Sequence, residues 1–151
     1  MRVEEVPVVF RSGRRLFSAG SIGLVVVAGL HTMGHFSSPQ RDPVLDALEL
    51  GMRSYSIDMG MGMRPTLYGV VQSLSLTMSV VLLGLGAQNL LVASSSGATR
   101  SLILRLSIAS AIVTSGLTAL YAYYQIPPPF ITLGIVALLF IGSIVTAGRA
   151  E

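Results

Sequence analysis

Four long apolar runs divide this sequence, and each is close to the roughly 20 residues that an α-helix needs to cross the hydrocarbon core of a bilayer. No stretch with the alternation typical of a strand lies between them. The pattern therefore predicts an all-α integral membrane four-helix bundle, organised as a single transmembrane domain over residues 1–151. The four runs cover residues 16–36, 65–91, 102–124 and 130–147.

The polar segment 38–64 separates the first two runs and predicts a short amphipathic surface helix between helices 1 and 2. Asp42 followed by Pro43 is a typical helix start, because an N-cap acceptor precedes a proline at the first helical position. Apolar residues then recur at helical spacing and charged residues take the other side. The apolar positions are Val44, Leu45, Leu48, Met52 and Tyr55, and the charged ones are Asp46, Glu49 and Arg53.

The remaining connections are predicted from turn chemistry. Met59–Met63 alternates methionine with glycine and is expected to be flexible and irregular. Arg64-Pro65 is expected to open the second helix, with proline at a position that a helix tolerates. Ser94–Gly97 predicts a short turn, and Pro127–Pro129 predicts a break before the fourth helix.

Composition and charge support a membrane location. Hydrophobic residues make up 52% of the chain and charged residues 11%, against about 25% charged in soluble domains. All ten basic residues are arginines, and with both termini inside the cell seven of them are cytoplasmic and three are not. We therefore expect an N-in/C-in, multi-pass protein of the cell membrane. A cleaved signal peptide is the alternative for the first run, although no small-x-small cleavage site follows it.

The same features exclude several classes of function. No basic run is interleaved with aromatic residues, so the arginines indicate topology and not a nucleic-acid surface. The chain has no cysteine, which excludes disulfides, thiolate metal sites and a cysteine nucleophile.

The two histidines of the chain, His31 and His35, lie four residues apart at the end of the first apolar run, so both imidazoles share one helical face. The predicted topology places other polar groups at the same outer level. We interpret the set as a candidate site for a cofactor or lipophilic ligand, because ionisable residues within membrane segments mark functional sites. Its candidate residues are His31, His35, Tyr68, Gln72 and Tyr121.

A metal site is a sharper hypothesis for the same histidines. His31, His35 and the carboxylate of Asp58 would give three ligands and an open position, suited to a divalent transition metal such as zinc, iron or manganese. The metalloprotease motif H-E-x-x-H is incomplete, since Thr32 stands where its glutamate belongs. Haem or pigment binding through a histidine, and purely structural or interfacial histidines, are open alternatives.

Three motifs resemble an uncharacterised family of small four-helix bacterial membrane proteins. They are LHTMGHF at the end of the first run, MRSYSIDMGMGMRPTLYGVVQSLSLTMSVVLLGLG entering the second, and YYQIPPPFITLGIVALLF around the fourth. The resemblance implies the four-helix topology and a bacterial inner membrane, but no activity. The positions that match its pattern are His31, His35, Met52, Asp58, Arg64, Pro128 and Pro129.

One departure from that family concerns the entry to the second helix, where an acid-containing, aromatic-rich segment is replaced by residues 65–70. If that acid serves a site in the family, this chain lacks it. A looser resemblance to DoxX-like proteins and sterol-isomerase-like bundles is one of architecture alone.

We expect an accessory bundle that binds a lipophilic small molecule or a partner subunit, with the lipid bilayer as its environment. Small residues at four- or eight-residue spacing would let helices of one bundle, of a homo-oligomer or of a membrane protein partner approach closely. These residues are Ala19, Gly23, Ser107, Ala111, Ser115, Gly134 and Gly142. A metal-dependent membrane enzyme acting on a lipid or quinone-like substrate is the alternative, so the sequence leaves enzyme activity open.

Overall fold

A computed structural model describes residues 8–37 and 42–148, with the side chains of residues 8–11 outside the description. Over these ranges the chain forms five helices and no strand. They are α1 (Val8–Phe36), α2 (Pro43–Ser54), α3 (Leu67–Ser94), α4 (Arg100–Tyr123) and α5 (Pro127–Gly148). The part of α1 from Ser12, together with α3, α4 and α5, is long and apolar enough to span a membrane. The predicted all-α four-helix bundle is confirmed, and the protein is a small polytopic membrane protein.

The four long helices form an open series in the order α3, α1, α5, α4. Helix α1 packs against α3 on one side and α5 on the other, whereas α3 and α4 barely touch. Asn89 Nδ2 donates to Ser110 Oγ at 2.9 Å and joins those two outer helices. The largest fully buried apolar side chains are Phe17, Leu24, Leu82, Ile103, Leu133 and Phe140.

Glycines permit two close helix approaches, both made by α1. A Cβ on Gly86 of α3 would lie 2.9 Å from the Ser21 carbonyl oxygen, and one on Gly23 of α1 would lie 2.7 Å from Val136 of α5. The predicted small-residue packing is therefore confirmed for Gly23. Ala19 and Ser115 are exposed, so these two residues do not pack within this bundle.

The connection into α3 corrects the predicted role of Pro65. The helix begins at Leu67, and Thr66 is its N-cap, accepting a hydrogen bond from the Gly69 N–H at 3.1 Å. Pro65 lies before the helix, where its carbonyl accepts from the Ile57 N–H at 2.9 Å. A proline followed directly by a threonine N-cap therefore marks the approach to this helix rather than its first turn.

The three prolines Pro127–Pro129 form the first turn of α5, which corrects the predicted start at residue 130. Helix α5 begins at Pro127. The N–H groups in the first turn of a helix have no partner within the helix. Three prolines, which have no N–H group, are therefore accommodated there. The break falls instead at Gln125, which has φ +55°. The Ile126 N–H bonds to the Tyr121 carbonyl and the Gln125 N–H to that of Ala122, as in a Schellman motif.

Helices α1 and α3 also extend beyond their apolar runs. Helix α1 begins at Val8 rather than at residue 16, and α3 continues to Ser94. The predicted Ser94–Gly97 turn is thus shortened to the residues after Ser94. Length alone misplaces such ends, because an apolar run reports burial in lipid and not the last helical hydrogen bond. Three arginines used to predict the topology, Arg2, Arg41 and Arg149, lie outside the described residues.

The loop between α2 and α3 is a compact hairpin-like turn, and its tip at Met59–Met63 has no regular secondary structure, as predicted. The Leu67 N–H bonds to the Tyr55 carbonyl, and Met59 and Met63 pair across the tip. Gly60 and Gly62 both have φ +79°, a backbone conformation that glycine adopts without a steric penalty.

The surface helix α2 has the predicted start and the predicted amphipathic pattern. Asp42 Oδ1 accepts from the Val44 N–H at 2.9 Å, with Pro43 in the first turn. Glu49 and Arg53 form the expected i,i+4 ion pair at 2.7 Å. Arg53 also lies over the ring of Tyr68, 3.8 Å from its centroid, which fastens α2 to the start of α3.

Candidate functional site at the histidine end

A pocket lies at the end of the bundle that carries the histidines, here called the histidine end. Helices α1, α3 and α5 contribute its walls, and its volume is about 410 Å³. Its surface is mostly apolar, with a small polar part. The lining residues are Val27, Leu30, His31, Gly34, His35, Ser75, Pro128, Pro129 and Thr132.

Both imidazoles converge on a single hydroxyl in this pocket. His31 Nε2 lies 3.1 Å from Ser75 Oγ, and His35 Nδ1 lies 3.2 Å from the same oxygen. The i,i+4 spacing on α1 places the rings on one face, and α3 supplies the serine opposite them. We call these three residues the His–Ser–His cluster. All three are half-buried.

The cluster leaves one nitrogen of each ring available. Among the residues that the structure describes, neither Nδ1 of His31 nor Nε2 of His35 has a hydrogen-bond partner. The Ser75 hydroxyl likewise has no acceptor in this part of the chain other than the two imidazoles. It differs in this from Thr77 on the same helix, which donates to the carbonyl four residues back.

Three predicted ligand-binding residues lie elsewhere. Tyr68 is engaged with Arg53, and Tyr121 packs against the hydrophobic core. Gln72 is a half-buried residue of α3. None of the three lines the pocket, and their role in ligand binding stays a prediction.

The predicted metal set of His31, His35 and Asp58 is not supported. Within residues 8–37 and 42–148, no group of three or more histidine, aspartate or glutamate side chains is placed to hold a metal ion. Asp58 is instead part of the hairpin-like turn. Its Oδ2 pairs with Arg64 at 3.1 Å and its Oδ1 accepts from the Gly60 N–H at 2.9 Å.

These two bonds change the acid–base behaviour of Asp58. The Gly60 N–H, and then Arg64, hold the pKa of this carboxyl below its ordinary value, because both interactions favour the charged form. In the same way, the hydrogen bond that Arg53 Nε donates to the Glu49 carboxylate raises the pKa of Arg53 on α2. Asp58 and Arg53 are thus each paired with a charged group close to them in sequence.

The pocket also contains residues that sequence reasoning did not assign to a site. Ser75 is visible in the sequence as part of a polar stripe with Gln72 and Ser79, but nothing local shows which of the three meets the histidines. Thr132 and the first turn of α5 enter the pocket because α5 packs against α1. Their place in the pocket therefore depends on tertiary packing and cannot be found from the local sequence.

Further polar groups lie deeper, in the bundle core. Ser107 and Ser143 share a hydrogen bond at 2.9 Å, and Ser143 is also within 2.9 Å of the Gly13 carbonyl oxygen. This connects α4, α5 and α1 at the end of the bundle opposite the histidines. Such contacts join helices in lipid, where an unpaired hydroxyl has no solvent partner.

Comparison with known proteins adds no assignment to this geometry: no family model, no curated protein and no solved structure matches the chain.

Proposed function

We propose that this protein binds a lipophilic small molecule in the pocket at the histidine end, and acts as an accessory component of the bacterial inner membrane. The pocket is the observation that carries the proposal. It joins an apolar wall to two imidazoles, each with one nitrogen that has no partner among the described residues. Ligand sites have this character, with a few polar groups that orient an otherwise apolar molecule.

The size of the pocket also fits this function. Ligand pockets typically measure about 300–1,000 Å³, so 410 Å³ accommodates a polar head and part of an alkyl chain. The N-in/C-in topology would place this end of the bundle on the extracytoplasmic side, at the level of the lipid headgroups. A lipid-derived or lipid-soluble amphiphile could then reach it from the membrane.

Gly34 offers a direct test, because it lines the pocket and a Cβ placed there meets no atom within 4 Å. Gly34→Leu should fill the pocket without disturbing the bundle. The matched control is Gly29→Leu, on the same helix, exposed, equally open around its Cβ and outside the pocket.

The measurement is photolabelling of the purified protein in lipid vesicles with a diazirine-bearing dodecanol. We expect saturable labelling of the segments around Leu30 and Thr132, competed by excess dodecanol, and a loss of about tenfold in Gly34→Leu but not in Gly29→Leu. Labelling spread evenly over the lipid-facing helices, or equal in the two variants, would contradict the proposal.

A further inference from the structure

We infer that Ser75 couples the tautomers of the two neutral histidines, so that the pocket always presents one hydrogen-bond donor and one acceptor to its ligand. The inference rests on the proposed function, since it names the class of molecule that the pocket takes. That class is a neutral amphiphile whose head group carries both a donor and an acceptor, such as a primary carboxamide or a hydroxy ketone.

The coupling follows from counting protons. Ser75 Oγ has one proton, and in the described part of the chain its possible acceptors are the two imidazoles. If it donates to one ring, the other ring must donate its own N–H to Ser75 for both contacts to be hydrogen bonds. Two neutral rings that both turned lone pairs toward the serine would leave one contact unsatisfied. Two rings that both donated their N–H would leave the serine proton with no acceptor in the described part of the chain.

The atoms involved determine the tautomers. When His31 donates from Nε2, its Nδ1 is a bare acceptor. His35 then accepts at Nδ1 and carries its proton on Nε2, so both rings are Nε2–H tautomers. In the reverse arrangement both rings are Nδ1–H tautomers. The two rings therefore share one tautomer in either state, although Ser75 meets them at different nitrogens.

This arrangement determines which head groups fit. In each state one of the two remaining nitrogens donates and the other accepts. An amide or hydroxy ketone satisfies both nitrogens in either arrangement. An ester, which has acceptors and no donor, offers no hydrogen bond to the accepting imidazole nitrogen, and a polar group that loses water without gaining a partner costs free energy.

The first experiment reads the tautomers directly. Because the chain contains two histidines, every histidine signal in ¹⁵N NMR of the labelled protein in lipid vesicles arises from this cluster. In a sample whose spectrum shows both rings to be neutral, we expect both rings to show the same tautomer. One Nε2–H ring together with one Nδ1–H ring would overturn the inference.

The second experiment measures the affinity for dodecanamide and methyl dodecanoate, which have similar chains and differ in the donor on the head. We expect the wild type to bind the amide about tenfold more tightly. Ser75→Ala frees each ring to choose its tautomer, so the ratio should fall to about one. Ser73→Ala is the control, because Ser73 is exposed and donates to the Val70 carbonyl of its own helix.

The outcomes separate the two proposals. Equal binding of both amphiphiles by the wild type, or a preference that Ser75→Ala retains, overturns the coupling and leaves the lipophilic pocket in place. Binding of neither amphiphile, in a protein that also fails to photolabel with the dodecanol probe, overturns the proposed function and with it this inference.

Discussion

Arg14 and Arg100 each cap the C-terminal end of a helix to which they do not belong. Arg14 donates from Nε to the Ala93 carbonyl at 2.7 Å and from Nη2 to the Ser95 carbonyl at 3.0 Å. Arg100 does the same for the end of α5, with Nε 2.7 Å from the Ala147 carbonyl oxygen. The last carbonyls of a helix lack intrahelical partners and carry partial negative charge, so a guanidinium satisfies both needs.

Replacing Arg14 by methionine should therefore destabilise the bundle. Hydrogen bonds that involve a charged group contribute about 1.5–3 kcal/mol, and we expect a loss of about that size in the free energy of unfolding measured in detergent. The matched control is Arg15→Met, which removes the same charge from an exposed neighbour. Equal losses in both variants would show that charge, and not capping, is what matters at this position.

The hairpin-like turn between α2 and α3 is an element held by backbone pairing and by one carboxylate. The Ile57 N–H and the Pro65 carbonyl pair at 2.9 Å, and Asp58 bonds both to the tip and to the opposite side of the turn. Folding lowers the pKa of Asp58. The bonds of the Asp58 carboxylate therefore stabilise the turn at pH values above 3.8, the ordinary pKa of this carboxyl. That stability is lost as the pH falls through the lowered pKa.

An NMR titration of the Asp58 carboxyl tests which partner matters more. Because the Gly60 N–H is the larger cause of the lowered pKa, Arg64→Met should raise that pKa only part of the way toward 3.8. A return to the ordinary value in Arg64→Met would contradict the leading role of the backbone donor. Glu49→Gln, which removes a carboxylate of α2, is the control and should leave the Asp58 titration unchanged.

At the scale of the whole molecule, the contact between α1 and α3 assembles the candidate site. Gly86 lets the two backbones approach near the middle of the bundle, and the same pair of helices brings Ser75 to the histidines. The two contacts belong to one antiparallel packing. A change in the separation of α1 and α3 at Gly86 should thus change the distance between Ser75 and the histidines in the pocket.

Gly86→Ala should destabilise the protein and weaken ligand binding together. The new Cβ would lie 2.9 Å from a backbone oxygen of α1, and overpacking of this kind costs about 1–3 kcal/mol. Gly84→Ala is the control, since it makes the same gain in helix propensity with no atom within 4 Å of its Cβ. Unfolding in detergent and dodecanol photolabelling provide the two readouts, and unchanged values for Gly86→Ala would contradict the argument.

Local sequence patterns predict the number and kind of the helices in this protein. Apolar runs of membrane length predict the four long helices, because hydrocarbon tolerates a backbone only when its hydrogen bonds are satisfied within the segment. Asp42-Pro43 predicts the start of α2, and the i,i+4 spacing of His31 and His35 predicts their common face. These features depend on neighbours in sequence, so local reasoning reaches them.

Which polar groups meet depends on how the helices pack against one another. Tyr68 and Gln72 lie on the same helix as Ser75, but the rotation of α3 against α1 selects the serine as partner of the histidines. Asp58 accepts hydrogen bonds from Gly60 and Arg64 within its own turn, so it does not join the histidines in the predicted metal set. The choice among polar residues of similar depth depends on helix rotation and close packing, and these are set by distant glycines such as Gly86 rather than by the local pattern.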